Sequence, residues 1–336
     1  MAKKSKKDGK SKSDKGKKAA EKQSAKAAEA AEKEAVKAAL KAEKAAKAVP
    51  APPEPRRPLS EVLRAPQGEV DIRTIETDAA PGFVGEGKSD APALTDALAP
   101  VLSDLQERLY AAGRENPETA PRVLLVLQGM DTSGKGGTIR HAVGMVDPQG
   151  VDLTAFKVPT AEEREHPFLW RIRRALPGPG MIGVFDRSQY EDVLVVRVNE
   201  LVPKAIWARR YTTINDFEAE LAGQGYVIIK CFLHISADEQ KQRLAARLDD
   251  PEKHWKYNPG DLDSRSHWDD YADAYNELLG RCNPDHAPWY IIPSNKKWYR
   301  NWAVAELLRE KLDALGLGWP AADFDVEAEK ARLAEL

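Results

Sequence analysis

The chain has 336 residues, of which 42% are apolar and 31% charged, and its formal net charge is −2. This length and apolar content allow one large hydrophobic core or two smaller ones. No apolar run reaches the roughly 20 residues of a membrane-spanning helix, and no apolar segment of a secretory signal follows the basic start "MAKKSKKDGK". We therefore expect a cytoplasmic protein without a membrane partner. Cys231 and Cys282 form no CxxC pair and are expected to be reduced thiols.

The first 50 residues form a basic tail. Residues 1–50 contain 16 Lys against 7 Asp and Glu, a net charge of +9, which leaves −11 for residues 51–336. The tail has almost no large apolar side chain, so burial cannot offset its ordering entropy and we expect it to be disordered. The proline-rich segment "VPAPPEPRRP" that follows is typical of a stiff linker. Two roles for the tail stay open, a solvated extension and an electrostatic arm for a polyanion.

Beyond the linker, helical and strand-like patterns alternate along the chain. The periodicity of residues 92–113 predicts a helix, and the continuous apolar run 122–128 predicts a buried strand. Further strands are predicted at 153–158, 181–186, 226–235 and 289–293. Further helices are predicted at 137–146, 162–175, 203–223, 237–248 and 298–315. Strands that are apolar on both faces and alternate with helices indicate a parallel sheet covered on both sides, a three-layer α/β/α domain.

The segment "LQGMDTSGKGGTIRH" begins at the end of the first predicted strand. Its Gly129, Gly134 and Lys135 have the GxxxxGK spacing of a phosphate-binding loop, in which backbone N–H groups and the ammonium group face phosphate. A standard loop continues with Ser or Thr for magnesium, whereas this chain has Gly136. Asp131 would repel phosphates unless a cation lay between, so it is a candidate magnesium ligand. The other candidate phosphate-binding residues of the loop are Ser133, Gly137 and Thr138.

A second group of charged residues follows the predicted strand 181–186. Asp186, Arg187, Glu191 and Asp192 come at its carboxyl end, where parallel α/β sheets bind their ligands. Asp186 suits the metal-binding carboxylate of a Walker B strand, and Arg187 can neutralise charge on a transferring phosphoryl group. Glu191 and Asp192 can equally be charges at the start of a helix, where the helix dipole favours them.

Four segments of the chain resemble the polyphosphate kinase 2 family: "LLVLQGMDTSGKGGTIRH", "FKVPTAEEREHPFLWRIRRALPGPGMIGVFDRSQYEDVLVVRV", "RLAARLDDPEKHWKYNPGDLDSRSHWDDYADAYNELL" and "APWYIIPSNKKWYRNWAV". They follow one another in order between about residue 60 and residue 316. The resemblance implies a P-loop kinase fold similar to thymidylate kinase. It also implies phosphoryl transfer between inorganic polyphosphate and nucleoside mono- or diphosphates. We expect a tail with linker at 1–57, a phosphotransferase domain at 58–316 and a carboxyl-terminal extension at 317–336.

The resemblance assigns roles to individual residues. It makes Asp131 and Lys135 the loop residues that meet magnesium and phosphate. Asp186 falls on the family's second acidic position, but relatives that read "YEDVLVV" often have Asn there, so Asp186 and Asp192 both stay open as the main metal ligand. The segment "YEDVLVVRV" favours members that accept both AMP and ADP. Positive charge near the phosphates is implied at Lys157 and Arg171.

Residues 237–266 are interpreted as a helical lid. Arg243 and Arg247 are four residues apart, so a helix would place both guanidinium groups on one face. Such a pair alone is also typical of a solvated helix face. The resemblance assigns it to the phosphate path, with Lys256 in the loop that follows.

The sequence therefore predicts a magnesium-dependent phosphotransferase that moves a phosphoryl group between polyphosphate and AMP or ADP without a covalent intermediate. In-line transfer between two anions needs alignment and charge neutralisation, which clustered Lys and Arg, magnesium and a positioning carboxylate supply. Guanine nucleotides are further candidate substrates, and we expect a homo-oligomer. One alternative is an ATP-dependent nucleotide or small-molecule kinase on the same fold. Another is a nucleic-acid-binding protein that uses the tail, although the net charge of −11 in residues 51–336 argues against a basic docking face.

Overall fold

The computed structural model describes residues 57–336 and is built on a five-stranded parallel sheet. The strands are β1 (Arg122–Gln128), β2 (Val151–Ala155), β3 (Ile182–Asp186), β4 (Tyr226–His234) and β5 (Trp289–Pro293). Their order across the sheet is β2-β3-β1-β4-β5, and each neighbouring pair is parallel. The chain therefore adds strands on one side of β1 before it crosses to the other side. Ligands of open α/β sheets bind at such a point, beyond the carboxyl end of the central strand.

The central strand shows why the apolar runs are continuous. In β1, Leu124 and Val126 belong to an apolar cluster on one face of the sheet. Val123, Leu125 and Leu127 belong to a second cluster on the other face. Because successive side chains of a strand point to opposite faces, a strand that is covered on both sides must be apolar at every position.

Helices cover both faces of the sheet. They are α1 (Leu59–Val62), α2 (Ala91–Asp96), α3 (Ala99–Glu115), α4 (Lys135–His141), α5 (Ala161–Arg164), α6 (Trp170–Arg174), α7 (Val195–Val198), α8 (Lys204–Gly223), α9 (Ala237–Leu248), α10 (Gly260–Ser266), α11 (Trp268–Arg281), α12 (Lys297–Asp313) and α13 (Val326–Ala334). Helices α8 and α11 pack in the first apolar cluster, and α3 and α12 pack in the second. The predicted three-layer α/β/α architecture is confirmed.

Two predicted helices are interrupted in the structure. The prediction of one helix at 92–113 is wrong, because α2 ends at Asp96 and α3 begins anew with Pro100 in its first turn. The prediction at 162–175 is also wrong, because α5 and α6 are separate and Pro167 lies between them. Proline has no backbone N–H to continue a helix.

Two further differences concern helix ends and missed helices. The helix predicted at 137–146 ends at His141, and Gly144, a poor helix former, follows shortly after. The elements α10 and α11 were not predicted as helices, although α11 contributes buried apolar side chains to the first cluster. Each of the five strands begins within two residues of its predicted first residue. For β1 and β5, both the first and the last residue are as predicted.

The chain divides between Pro50 and Ala51 into two units, and the structure describes the second of them from residue 57 onwards. The basic tail lies outside the described residues, so its disorder stays a prediction. Within residues 57–336, no helix has the length and apolar character needed to cross a membrane. The extension at 317–336 contains α13, which has no buried residue.

Candidate active site

The predicted phosphate loop connects β1 to α4 at the centre of the sheet edge. Gly129 and Gly134 have φ angles of 152° and 105°, which favour glycine because a side chain would strain the backbone there. A Cβ atom on Gly129 would also lie 2.6 Å from the backbone oxygen of Leu233. Thr132 has a positive φ of 64° as well. The loop is therefore a tightly turned segment that ends where Lys135 begins α4.

The side chain of Lys135 folds back over this loop. Its Nζ donates a hydrogen bond of 2.8 Å to the backbone oxygen of Gly129, and the residue is 9% exposed. Burial, together with the charge of Arg187, lowers the pKa of Lys135. The carboxylates of Asp131 and Asp186 act in the opposite direction. The ammonium group is thus held inside the loop, within reach of acidic side chains.

A charged cluster surrounds Lys135. Arg187, which follows β3 with a φ of 66°, donates from Nη2 to Asp131 at 3.2 Å, and its Nε lies 4.0 Å from Glu191. Burial raises the pKa of Glu191, while Arg187 and Lys135 oppose the shift. Asp186 ends β3, which pairs with β1 along its length. The ends of two adjacent strands therefore bring together acidic and basic groups that are far apart in the sequence.

Asp192 has different partners from the other carboxylates. Its Oδ1 accepts a hydrogen bond of 2.8 Å from Arg210, and its Oδ2 lies 3.8 Å from Arg171. Burial raises the pKa of Asp192, and the two arginines oppose this shift. Arg171 also donates to the backbone oxygen of Lys157 at 2.8 Å, while the side chain of Lys157 is exposed. Asp192 is thus held by two arginines, Arg171 and Arg210.

The loop offers oxygen atoms that fit a magnesium ion. Among residues 57–336, no group of three or more His, Cys, Asp or Glu side chains is arranged to hold a metal ion. Magnesium commonly uses only one or two carboxylates, with waters and substrate phosphates as its other ligands. The hydroxyl groups of Thr132 and Ser133 are buried and have no hydrogen-bond partner within the described part of the chain. Asp131 is the carboxylate of the loop that lines the cavity, so it is the residue that could hold such an ion there.

A cavity of about 600 Å³ opens beside the phosphate loop. Its lining includes the charged residues Asp131, Arg187 and Glu191. It also includes apolar and aromatic residues, among them Phe156, Leu194, Leu201, Trp268 and Tyr271. This volume suits a small-molecule ligand, and the mixed lining suits one that has both a charged part and a flat, apolar part. A nucleotide has both.

Arg243 supports the phosphate loop through hydrogen bonds to its backbone. Its Nη1 donates to the backbone oxygens of Thr132 and Ser133 at 2.9 and 3.1 Å. Its Nη2 donates to the backbone oxygen of Ser294 and its Nε to Glu239, both at 2.6 Å. The structure therefore places the guanidinium group of this predicted phosphate-binding residue on loop carbonyls.

The other predicted lid residues lie within the lid itself. Arg247 donates to Asp261 at 3.1 Å and to the backbone oxygen of Lys256 at 3.0 Å. The side chain of Lys256 is exposed, and its Nζ lies 4.9 Å from the ring centre of Trp255. The structure joins Arg247 and Lys256 to each other and does not bring them into the cluster around Lys135.

Arg300 of α12 is a site residue that the sequence analysis missed. It is 3% exposed, and its Nη1 donates to the backbone oxygen of Ser133 at 3.1 Å. Burial and the nearby Arg243 lower the pKa of Arg300 to about 10, which leaves it charged at neutral pH. A Cβ atom on Gly134 would overlap the guanidinium group, and one on Gly137 would lie 2.7 Å from it. The only signal in the sequence was the basic segment "SNKKWYRN" directly after the last predicted strand.

The combination of loop, strand order and charged cluster defines a P-loop site for phosphoryl-group chemistry on an α/β fold. The family model of polyphosphate kinase 2 matches residues 95–316. The chain belongs to the polyphosphate kinase 2 family.

Several relatives cover most of the chain. The AMP/ADP-polyphosphate phosphotransferase of Meiothermus ruber is 46% identical over 255 residues, which is 76% of this chain and 93% of that protein. The ADP-polyphosphate phosphotransferase of Rhodopseudomonas palustris is 40% identical over 287 residues, which is 82% of this chain and 94% of that protein. The crystal structure of polyphosphate kinase 2 from Arthrobacter aurescens TC1 superimposes with a TM-score of 0.81 at 51% identity, and the match covers 85% of this chain and 100% of that one.

The contact between Arg300 and the loop predicts different effects of alanine at two loop glycines. Gly134→Ala should lower the free energy of unfolding by about 2 kcal/mol or more, because the φ of 105° is strained for alanine and the methyl group displaces Arg300. Gly136→Ala is the matched control: its Cβ atom meets no atom within 4 Å, and alanine favours a helix by about 0.5–1 kcal/mol over glycine. Denaturant unfolding of both variants checks this, and equal stabilities would contradict the described position of Arg300.

Proposed function

We propose that the protein transfers phosphoryl groups between inorganic polyphosphate and AMP or ADP, forming ADP and ATP. The observation that carries this proposal is the phosphate loop, in which the buried Lys135 binds the backbone oxygen of Gly129 and the Asp131–Arg187 pair lines a nucleotide-sized cavity. Family membership supports it, as do the two relatives whose names state polyphosphate as a substrate with ADP or with both AMP and ADP. Guanine nucleotides are further candidate substrates.

The residues of the site suit direct, in-line transfer. The acceptor phosphate oxygen forms a bond to the terminal phosphorus of polyphosphate, and the P–O bond to the rest of the chain breaks. Lys135 and the loop N–H groups hold the phosphates, and Arg187 neutralises charge on the group in transfer. The aromatic residues Trp268 and Tyr271, which line the cavity, bind the base of the nucleotide and so align the acceptor. No side chain needs to form a covalent intermediate.

We propose magnesium as the metal ion, with Asp131 as its main protein ligand. Magnesium, when bound, neutralises phosphate oxygens and fixes their orientation. Asp186 supports Asp131, because it ends the adjacent strand and lies close enough to affect the pKa of Lys135. Asp192 is the weaker candidate, because both of its carboxylate oxygens lie near arginines, Oδ1 at 2.8 Å from Arg210 and Oδ2 at 3.8 Å from Arg171. We assign Asp192 to orienting the acceptor through Arg171 and Arg210.

Other parts of the proposal concern the lid, the cell and the assembly. We propose that the phosphotransferase domain spans 58–316 and that its lid spans 237–266, in which α9 and α10 flank a short 3₁₀ helix.

Free, buried thiols at Cys231 and Cys282 support a location in the reducing cytoplasm. Large apolar side chains that are exposed in this chain support a homo-oligomer, because such groups often lie in contacts between subunits. They include Leu153, Trp319 and Phe324.

The alternatives make different demands on the same site. An ATP-dependent kinase on this fold would bind ATP as its donor and would not respond to polyphosphate. The nucleic-acid-binding alternative depends on the tail, since residues 51–336 carry a net charge of −11. The charged cluster around Lys135 has no evident purpose in that case.

Lys135→Ala should abolish transfer while the fold stays intact. The loss of one buried charge contact to the transferring phosphates typically costs about 3 kcal/mol, or about two orders of magnitude in kcat. Lys330→Ala is the control, because Lys330 is exposed and pairs with Glu327 on α13, in the carboxyl-terminal extension. Turnover of AMP with polyphosphate is measured for both variants. Folded Lys135→Ala with turnover close to that of the unmodified protein would show that the loop assignment is wrong.

Three Asp→Asn variants separate the roles of the carboxylates. Asp131→Asn should raise the magnesium concentration for half-maximal rate about tenfold or more, because it removes the main charged ligand. Asp186→Asn should have a smaller effect, because Asp186 only supports Asp131 and relatives that read "YEDVLVV" often have Asn there. Asp192→Asn should leave the magnesium requirement unchanged and raise KM for AMP. Magnesium titrations at fixed polyphosphate test the order, and a dominant effect of Asp192→Asn would reverse our assignment.

A further inference from the structure

A fully buried polar network lies beneath the site and takes no part in the proposed chemistry. Lys230 of β4 and Glu218 of α8 are both 0% exposed, and the Lys230 Nζ lies 2.6 Å from the Glu218 Oε2. The same Nζ donates to the Tyr190 hydroxyl at 2.9 Å and to the backbone oxygen of Cys282 at 2.8 Å. An ammonium group has three donors, so each has a partner. The core therefore contains a complete ion pair.

The carboxylate of Glu218 also binds the turn that follows β3. Its Oε1 accepts hydrogen bonds from the Tyr190 hydroxyl at 2.7 Å and from the Gln189 side chain at 3.0 Å. Gln189 and Tyr190 are 1% and 0% exposed and begin the 3₁₀ helix Gln189–Asp192. Burial and the neighbouring Glu218 raise the pKa of Tyr190 well above its usual range, so the hydroxyl stays a donor. One end of the turn is thus fixed in the core.

The other end of the same turn reaches the phosphate site. Glu191 lies 4.0 Å from Arg187, and Asp192 accepts a hydrogen bond from Arg210, which is on α8 together with Glu218. Both Glu191 and Asp192 line the cavity. The turn is therefore short. Its first two residues are buried and its last two line the cavity, so a shift of the first two residues would move the carboxylates of Glu191 and Asp192.

Stability alone does not account for this network. Removing charges from water is costly, and a well-packed apolar pair of the same volume is often as stable as a buried ion pair or more stable. Tyr190, Lys230 and Trp289 already pack closely, with Lys230 Nζ 5.2 Å from the Trp289 ring centre. An apolar pair, however, could not form the hydrogen bonds that fix Tyr190 and Gln189 in one orientation.

We propose that Lys230 and Glu218 are positioning residues that fix the turn Gln189–Asp192, so that Glu191 faces Arg187 and Asp192 faces the acceptor. The inference rests on the proposed function, because it assumes that these two carboxylates act on the reaction. The network touches neither donor nor acceptor, so it should act only through the turn: on the rate of transfer through Glu191, and on the KM for AMP through Asp192.

The main test replaces the network by apolar groups of similar size in the full-length protein. The triple variant Lys230→Met, Glu218→Met, Tyr190→Phe has no unpaired buried charge and should fold, whereas Lys230→Met alone leaves Glu218 unpaired and should lower Tm. We expect kcat of the folded triple variant to fall about tenfold to a hundredfold, since a misplacement of about 1 Å can cost that much. The KM for AMP should rise as in Asp192→Asn, because Asp192 is misplaced, whereas the KM for polyphosphate should change by less than about twofold. A folded triple variant with unchanged kcat would overturn the proposal.

A milder pair of variants decides the question if the triple variant does not fold. Tyr190→Phe removes only the hydroxyl that binds Glu218 and Lys230. Tyr299→Phe is the matched control, because Tyr299 is also 0% exposed and its hydroxyl donates to the backbone oxygen of Pro81, in the opposite apolar cluster. Tyr190→Phe should lower kcat at least threefold more than Tyr299→Phe at similar Tm. Equal kcat values would contradict a positioning role.

One comparison separates this inference from the proposed function. Glu191→Gln should lower kcat if Glu191 acts in the site. If Glu191→Gln, Asp192→Asn and Lys135→Ala all leave kcat unchanged, the proposed site is wrong. If these variants are impaired and the triple variant is not, only the positioning role fails.

Discussion

The site depends on a single backbone oxygen that two buried arginines hold. The carbonyl of Ser133 accepts hydrogen bonds from Arg243 and from Arg300, each at 3.1 Å. Because a trans peptide directs its C=O and N–H to opposite sides, the N–H of Gly134 in the same peptide plane points away from the two guanidinium groups. In the proposed function this is the side on which phosphates bind. Burial and the neighbouring Arg243 lower the pKa of Arg300, and burial of two like charges is costly. We propose that a loop fixed before substrate arrives offsets this cost.

This constraint explains two glycines of the loop but not the departure from the standard P-loop sequence at Gly136. Arg300 lies so close to α4 that Gly134 and Gly137 have no room for a Cβ atom. Gly136, in contrast, has open space around it and leaves the place of the usual hydroxyl empty. The carboxylate of Asp131 lies in the same loop and accepts a hydrogen bond from Arg187. In the proposed function, Asp131 replaces the usual neutral hydroxyl as the protein ligand of the metal ion.

Local structure was predictable from the sequence, and long-range contacts were not. The β1 bounds follow from an apolar run, and the GxxxxGK spacing correctly indicated a tight loop that leads from β1 into a helix at Lys135. Arg300 could not be inferred, because 167 positions separate it from Ser133 and only the packing of α12 brings them together. The periodicity around Arg243 gave the correct helix, but no pattern shows whether a charged face turns towards solvent or towards the loop.

The central claim is that one P-loop site transfers phosphoryl groups from polyphosphate to nucleotides. Product analysis of the purified protein tests it most directly, with AMP, ADP or GDP as acceptor, polyphosphate as the sole donor, and magnesium. The account predicts that AMP is converted to ADP and ATP while polyphosphate is consumed, and that both processes stop in Lys135→Ala. Phosphorylation of AMP with ATP as donor but none with polyphosphate would contradict it.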